Sequence, residues 1–254
     1  MNRIFKVDKK YFQTEDKLII PEVNEAQMRE VDRIAVEDFG LGILQMMENA
    51  GRNLAEFIME KIGPPTDKSI VILAGSGGNG GGGICCARHL HNHGYAVKIF
   101  LTKNVEDLTG AARTQLDILI QSGITPSLKS DAEEEIKKCD FVIDALIGYS
   151  LKGAPRGMVQ ELIQLTNLHS NQVFSLDIPS GIDSSNGETH GEFIRADATM
   201  TLALPKPGNH HAGAGEIYLA DIGIPPEVYK PLDIHFSPLF KEKYRIKLNR
   251  TTEK

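Results

Sequence analysis

Cysteine is scarce in this chain, and no stretch of it stays apolar for long. The 254 residues include three cysteines, Cys85, Cys86 and Cys139, so they cannot all pair with one another, and the first two are adjacent. This usage predicts a reducing compartment and offers no zinc-site spacing. No window approaches the length of a membrane-spanning helix, and the N-terminal residues lack the apolar core of a signal peptide. We therefore expect a cytoplasmic protein that does not enter a membrane.

An excess of basic residues is also missing. Lys and Arg number 28 against 34 Asp and Glu, which gives a formal net charge of -6. Nucleic-acid-binding surfaces need clustered positive charge, so this balance argues against DNA or RNA as the partner. If the protein handles phosphate groups, backbone amides or single Lys and Arg residues must bind them locally.

Length and patterning favour one α/β domain. With 254 residues and a hydrophobic content of 41%, the chain can bury one substantial core. Two amphipathic helices are predicted first, one capped by Asn24 with Gln27 and one over Ile43–Ile62. After them, short apolar strands alternate with helices, the strands at 69–74, 96–101, 140–145, 172–176, 198–204 and 216–220 and the helices at 83–93, 109–122, 131–138 and 157–167.

This alternation predicts a three-layer αβα sandwich. Its sheet is expected to be doubly wound, mostly parallel and Rossmann-like, with two leading helices before any strand. We predict a single domain over residues 1–254, with 1–20 and 231–254 as terminal extensions. Ligands in such sheets bind beyond the carboxyl ends of the strands, so the chemistry is expected in the loops that follow them.

The segment after the first of these strands is dominated by glycine. Seven of the nine residues in Gly75–Gly83 are glycine, and the segment joins an apolar strand to a predicted helix. Glycine lets the backbone approach a ligand closely, and a helix N-terminus offers free N–H groups, so the segment suits a bound phosphate. A tight turn or a flexible linker is the alternative, although the close flanking by strand and helix argues against a linker.

Two other strands end in aspartate. Asp144 directly follows three apolar residues, and Asp177 precedes a Pro-Ser-Gly turn that contains Ser180. Together with Asn79 in the glycine segment, these side chains are oxygen ligands of the kind that suits a hard cation. The alternatives are structural, a cap for Asp144 and a turn without function after Asp177.

The remaining histidines and cysteines of this region are predicted to be structural. His89, His91 and His93 alternate near a helix end, where helical geometry does not place all three on one face, so we expect them to be solvated and to cap the helix. Cys85 and Cys86 are expected to pack against the sheet.

Five stretches together resemble one family. They are "MMENAG", "AGSGGNGGGGICCARHL", "DALIGYSLKG", "SLDIPSGID" and "ADATMTLALPKPG", and they occur in the order found in the NAD(P)H-hydrate epimerase family, the YjeF N-terminal domain. The resemblance extends from about Pro21 to Tyr229. Members of that family typically carry Asn-Asn-Gly-Gly-Asp-Gly in the glycine segment, whereas this chain has Gly78 in place of the first Asn and Gly82 in place of the Asp.

The resemblance implies an activity, an ion and a set of contacts. The family interconverts the two C6 epimers of hydrated NADH or NADPH, so that a partner NAD(P)H-hydrate dehydratase can restore the cofactor. The resemblance also implies a potassium ion, with Asn79, Asp144 and Ser180 as its ligands or close neighbours. It further implies a homodimer formed through the two N-terminal helices. Asp144 and Asp177 are the candidates for catalytic proton transfer, and either could act. The implied substrate contacts are Asp177, the glycine loop of Gly78, Asn79, Gly80, Gly81 and Gly82, and the loop of Gly148, Tyr149, Ser150, Leu151, Lys152, Gly153 and Ala154.

Two other functions are open at this point. A nucleotide-binding or scaffold module of the same fold, without catalysis, is favoured by the loss of the Asn at Gly78 and of the Asp at Gly82. Retention of Asp144, Asp177 and Ser180 favours the enzyme. An ordinary Rossmann dehydrogenase is disfavoured by the two leading helices and by Lys103, which stands where that class carries an acidic residue.

Overall fold

A computed structural model describes residues 10–127 and 129–253. Its strands and α-helices alternate for most of the chain. In order they are β1 (Lys10–Gln13), β2 (Ile19–Ile20), α1 (Glu25–Arg33), α2 (Ile43–Ile62), β3 (Ser69–Ala74), α3 (Gly78–Asn92), β4 (Ala96–Leu101), α4 (Gly110–Gln121), α5 (Ala132–Lys138), β5 (Phe141–Ala145), α6 (Met158–His169), β6 (Val173–Leu176), β7 (Ala198–Leu202), β8 (Glu216–Ala220) and β9 (Arg245–Thr252). No helix among these residues is long and apolar enough to cross a membrane.

The strands form one nine-stranded sheet in the order β2-β1-β9-β8-β7-β6-β5-β3-β4. The strands from β8 to β4 in this order run parallel to their neighbours, and β9, β1 and β2 pair antiparallel at one edge. Helices α2, α3 and α4 pack on one face, where Leu54, Ile84 and Leu116 are buried against the sheet. Helices α5 and α6 cover the other face with Ile136 and Ile163. The predicted αβα sandwich is thus confirmed.

The antiparallel edge corrects one expectation. Two helices do precede the parallel strands, but the prediction that they precede every strand is wrong, because β1 and β2 come first. The edge joins the two ends of the chain, with Phe12 of β1 opposite Arg250 of β9. Such pairing leaves a weak local pattern, since each strand is short and its partner lies at the other end of the sequence. Both predicted terminal extensions therefore contribute strands to the sheet.

The start of α1 follows the local rules of helix capping. The side chain of Asn24 accepts a 2.9 Å hydrogen bond from the amide of Gln27, and the side chain of Gln27 accepts a 3.0 Å bond from the amide of Asn24. This reciprocal capping box confirms the predicted start of the helix. Met28 and Val31 face the core, and Met28, Arg29 and Asp32 of this helix line the site described below.

From Gly78 onwards, the glycine segment is helical rather than a loop. Helix α3 begins at Gly78, whereas the sequence placed its start at Gly83. The glycines are explained by close packing: a Cβ atom at Gly82 would lie 2.7 Å from Cδ2 of Leu176, and one at Gly83 would lie 2.6 Å from Cβ of Ala145. Glycine is a poor helix former, so its density favoured a loop, but contact with the sheet overrides that propensity.

Candidate active site

A cleft of about 710 Å³ opens at the carboxyl ends of the parallel strands. It lies where β3 has β4 on one side and β5 on the other, the switch point at which doubly wound sheets bind ligands. The segments that follow β3, β4, β5, β6 and β7 form its walls, and α1 and α2 close the remaining side. Its charged lining residues are Arg29, Asp32, Lys103, Arg156, Asp177 and Lys206.

Asp177 and Lys206 form a buried ion pair at the floor of this cleft. The lysine side chain is 1% exposed and the aspartate side chain 4%. The ammonium group donates to Oδ1 of Asp177, to the carbonyl oxygen of Leu202 at 2.8 Å and to the hydroxyl of Thr201 at 3.5 Å. A lysine is almost never buried without such partners, so the pair holds both side chains in fixed positions.

The backbone at Asp177 is held in an uncommon conformation. Its φ of 67° lies in the left-handed region, which non-glycine residues visit rarely. Its amide donates a 2.7 Å hydrogen bond to Met200, and its carbonyl accepts a 3.0 Å bond from the side chain of Asn209. A strained backbone conformation persists only where surrounding contacts hold it in place, and such conformations are common at functional sites.

Asp144 lies behind the cleft wall rather than on it. The residue is fully buried, and its carboxylate accepts from the hydroxyl and amide of Ser180 at 2.6 and 2.8 Å, from the Ser175 hydroxyl at 2.8 Å and from the Leu146 amide at 3.2 Å. Burial raises the pKa of Asp144 above its usual value, although these hydrogen bonds act in the opposite direction. The group ties the segment after β5 to the turn after β6.

On the part of the cleft wall that the structure describes, Asn79 is the one residue whose side-chain amide lacks hydrogen-bond partners. Neither its Oδ1 nor its Nδ2 has a hydrogen-bond partner, and both atoms are buried. A buried amide without partners costs about 1–3 kcal/mol, so the site suits a ligand that the carbonyl oxygen could hold. A hard cation fits this oxygen, and the hydroxyl of Ser180 and the carboxylate of Asp144, which hydrogen-bond to each other, offer oxygen ligands of the same class.

Comparison with known proteins identifies the family. A model of the YjeF-related protein N-terminus matches residues 43–208. The chain is 41% identical, over 95% of its length and 98% of the relative's, to the NAD(P)H-hydrate epimerase of Dehalogenimonas lykanthroporepellens. It is 35% identical, over 85% of its length and 90% of the relative's, to that of Rhodopirellula baltica. The chain belongs to the YjeF-related N-terminal family.

Two further relatives extend the comparison. The crystal structure of the yeast protein YNL200c shares the fold with a TM-score of 0.77, at 25% identity, and the match covers 90% of this chain and 100% of the yeast chain. The bifunctional NAD(P)H-hydrate repair enzyme Nnr of Moorella thermoacetica is 36% identical over 81% of this chain, but the match spans 41% of that longer protein. The resemblance seen in the sequence is thereby confirmed.

The structure places some of the substrate contacts predicted from the resemblance on the cleft wall and others away from it. The predicted contacts that line the cleft are Gly78, Asn79, Gly82, Gly148, Tyr149, Ser150 and Asp177. The others, Gly80, Gly81, Leu151, Lys152, Gly153 and Ala154, are not part of its wall. Gly148 is central, since a Cβ atom there would lie 3.1 Å from Oδ2 of Asp177 and 3.3 Å from Cγ of Asn79. These contacts stay predictions for the family's substrate.

Several residues of the cleft could not be predicted from the sequence. Lys206 stands in a Pro-Lys-Pro stretch that reads as a loop, and only its place in a quoted family motif could have drawn attention to it. Asp32 reads as a polar residue on a surface helix, but it lines the cleft and accepts a 2.6 Å hydrogen bond from the hydroxyl of Tyr149. Lys103 and Arg156 also line the cleft, and no ion pair to either is found within the described residues.

A second polar cluster lies between α2 and α3. The Glu48 carboxylate accepts from Arg88 at 2.6 and 2.7 Å, from Gln115 at 3.0 Å, and lies 2.8 Å from Nε2 of His89. The prediction that all three neighbouring histidines are solvated is therefore wrong for His89. Burial raises the pKa of the Cys85 thiol, as expected for a packed cysteine. Arg88 already neutralises this carboxylate, which argues against a metal ion among these side chains.

Proposed function

We propose that this chain is an isomerase that interconverts the two C6 epimers of hydrated NADH and NADPH. The observation that carries the proposal is the buried pair of Asp177 and Lys206 on the floor of a cleft at the switch point of the sheet, in a chain 41% identical to an NAD(P)H-hydrate epimerase over nearly its whole length. A doubly wound fold alone would not select this reaction.

The charge of the cleft suits a dinucleotide. Lys103 and Arg156 line it at two separate segments, after β4 and before α6, and the first residues of α3 present free N–H groups to it. A helix N-terminus and two cations without carboxylate partners are favourable surroundings for a diphosphate. Asp177 and Lys206 lie deeper in the cleft, where they would contact the hydrated nicotinamide ring.

The chemistry needs a group that moves a proton. Epimerisation at C6 proceeds either by loss and return of the hydroxyl or by opening of the ring at that carbon, and both routes move a proton between oxygen and the protein. Asp177 lines the cleft and can accept that proton, while Lys206 supplies a fixed positive charge beside the developing negative charge. Asp144 is buried away from the cleft, so its part in this scheme is to hold the Ser180 turn and the segment after β5.

Potassium is proposed to organise this wall of the cleft. The orphaned carbonyl oxygen of Asn79, the hydroxyl of Ser180 and the carboxylate of Asp144 are the side chains that would hold it. The ion would supply a positive charge that fixes the segments after β3, β5 and β6 relative to one another. The proton transfers described above are assigned to the protein's own side chains.

The partners of the protein follow from its relatives. An NAD(P)H-hydrate dehydratase is the proposed functional partner, because relatives named bifunctional NAD(P)H-hydrate repair enzymes contain a region like this chain within a longer protein. A homodimer through α1 and α2 is proposed as well, with Phe39 exposed in the segment that connects the two helices and Leu44 exposed in the first turn of α2. The cytoplasmic location stays a prediction.

The decisive experiment is an epimerisation assay. Purified protein is mixed with each isolated epimer of hydrated NADH and of hydrated NADPH, and the ratio of epimers is followed by chromatography against a protein-free control. We expect the two starting materials to converge on one equilibrium ratio faster than the control. Tight binding without faster convergence would instead favour the non-catalytic module.

A further inference from the structure

Asp32 and Asp177 are linked inside the cleft by one residue. The hydroxyl of Tyr149 donates a 2.6 Å hydrogen bond to Oδ2 of Asp32, and the backbone amide of the same tyrosine donates a 3.1 Å bond to Oδ2 of Asp177. Both carboxyl groups and the tyrosine line the cleft. Two carboxyl groups that share a cavity and differ in their surroundings are the usual basis for separate acid and base roles.

The surroundings of the two carboxyl groups do differ. Asp177 is ion-paired with Lys206, whereas none of the described cations forms an ion pair with Asp32. Arg29, whose charge acts on Asp32, pairs instead with Glu25 at 2.7 Å on the same helix.

The charged and titratable groups that face Asp32 set its protonation. Burial raises its pKa, the Tyr149 hydrogen bond and the Lys206 and Arg29 charges lower it, and the Asp177 charge raises it, with a net rise. Tyr229 is a further neighbour, although it is buried in the core. Asp32 is therefore the carboxyl group of the cleft that is better placed to carry a proton.

We propose that Asp32 is a catalytic residue that acts as the general acid of the epimerisation, while Asp177 acts as the general base. The inference rests on the proposed function and adds to it a second proton carrier from α1. Tyr149 is a positioning residue, because its hydroxyl orients the Asp32 carboxyl group and its amide orients the Asp177 carboxylate.

The proton transfers balance without any co-reactant. Asp177 takes the proton of the C6 hydroxyl, the oxygen forms a carbonyl with C6, and the C6–N1 bond breaks with its electron pair moving to N1. Asp32 gives its proton to that nitrogen. Rotation about the C5–C6 bond presents the other face of the aldehyde. N1 then adds to that face, its proton returns to Asp32, and Asp177 returns a proton to the oxygen.

The first test is Asp32→Asn, which keeps an acceptor for the Tyr149 hydroxyl but removes the acidic proton. We expect kcat to fall by about a hundredfold or more, the usual contribution of a general acid, while KM stays within about threefold of the wild-type value. Glu30→Gln is the matched control, because this carboxylate lies on the same helix, pairs with Arg33 and is outside the cleft. It should leave kcat unchanged.

The second test is Tyr149→Phe, which removes a hydrogen bond that lowers the pKa of Asp32. The general acid is lost as pH rises through that pKa, so the alkaline limb of the kcat profile should move to higher pH in this variant. A purely structural tyrosine would lower activity without moving the limb.

The outcomes distinguish the role of Asp32 from the proposed epimerase function. A fall of less than a hundredfold in Asp32→Asn, or an alkaline limb that does not move in Tyr149→Phe, would overturn the assignment of Asp32 while an active wild type left the proposed function intact. A wild-type protein that does not epimerise either substrate would overturn the proposed function and this inference with it.

Discussion

Gly80 lies directly against the carbonyl oxygen of Gly75. A Cβ atom at Gly80 would overlap that oxygen and the carbonyl carbon bonded to it, both of which are backbone atoms with little freedom to move. At Gly80, the first turn of α3 therefore packs onto the turn after β3 without room for a side chain. Glycine at this point serves the packing of the helix, which in turn brings Asn79 to the cleft.

Gly80→Ala should destabilise the protein by at least about 3 kcal/mol, because backbone atoms must shift to admit the methyl group. Gly78→Ala is the matched control, since a Cβ atom at this exposed position meets nothing within 4 Å. There the gain in helix propensity, up to about 1 kcal/mol, should leave stability equal or higher. Urea unfolding of both variants measures the difference, and equal stabilities would contradict the packing argument.

Gly82→Asp tests whether the family's aspartate is needed for catalysis. Gly82 lies in the first turns of α3 and lines the cleft, so an Asp there would reach the substrate only after displacing Cδ2 of Leu176. We expect the epimerisation rate to change by less than about a hundredfold. A larger gain, roughly 3 kcal/mol of transition-state stabilisation, would show that this chain had lost a catalytic group and would favour the binding module.

Glu48→Gln tests the cluster between α2 and α3. Burial raises the pKa of Glu48, but hydrogen bonds from Arg88, Gln115 and His89 outweigh it and lower the pKa from 4.5 to about 2. A carboxyl group whose pKa is lowered by folding stabilises the protein at pH values above its pKa in the unfolded chain. That stabilisation is lost as the pH falls through its pKa in the folded protein.

The expected loss in Glu48→Gln at pH 7 is about 1–2 kcal/mol, reduced for solvent screening of a partly exposed carboxylate. The difference from wild type should shrink as pH is lowered from about 4.5 towards 2. Urea unfolding at a series of pH values measures it, with Glu106→Gln, an exposed glutamate outside the cluster, as the control. A difference that does not depend on pH would contradict the charged role of Glu48.

Asn79→Ala tests the proposed potassium site. Thermal unfolding in potassium, compared with sodium at equal ionic strength, should show a higher midpoint for the wild type, because an ion that binds only the folded state stabilises it. The variant should lose this difference. In sodium it should be no less stable than wild type, since it removes a buried amide without partners. Asn92→Ala, at the exposed end of the same helix, is the control and should keep the potassium effect.

Features encoded within a few residues could be predicted from the sequence. The capping box of Asn24 and Gln27 is local, and the structure confirms it. The apolar runs of the parallel strands are equally local, and β3, β4 and β8 have the predicted bounds. Asp177 was found because the carboxyl ends of parallel strands are where such folds bind ligands.

Features that depend on distant contacts could not be predicted in this way. Strand β1 acquires its structure by pairing with β9 from the other end of the chain. The helical state of the glycine segment depends on how closely α3 approaches the sheet, which composition does not reveal. Lys206 and Asp32 gain their chemical roles from burial and from partners far along the chain. A short window of sequence reveals neither the burial nor the partners.

The ion pair of Asp177 and Lys206 leads to the last prediction. Asp177→Asn should lower kcat by about a hundredfold or more, because the amide keeps the size of the side chain but cannot accept a proton as a base. It should also destabilise the protein by about 3–5 kcal/mol, since it leaves the Lys206 ammonium buried without a counter-charge. Activity must therefore be expressed per folded molecule.

The double variant Asp177→Asn, Lys206→Met separates the two effects. Replacing the lysine by an uncharged side chain of similar length removes the buried charge, so most of the lost stability should return, because a buried pair replaced by uncharged groups is often close to neutral. Activity should not return, since the base is still missing. Urea unfolding and the epimerisation assay measure the two quantities on the same preparations. A double variant that regained both stability and turnover would show that Asp177 serves only to neutralise Lys206, and the proton transfer would then belong to another group of the cleft.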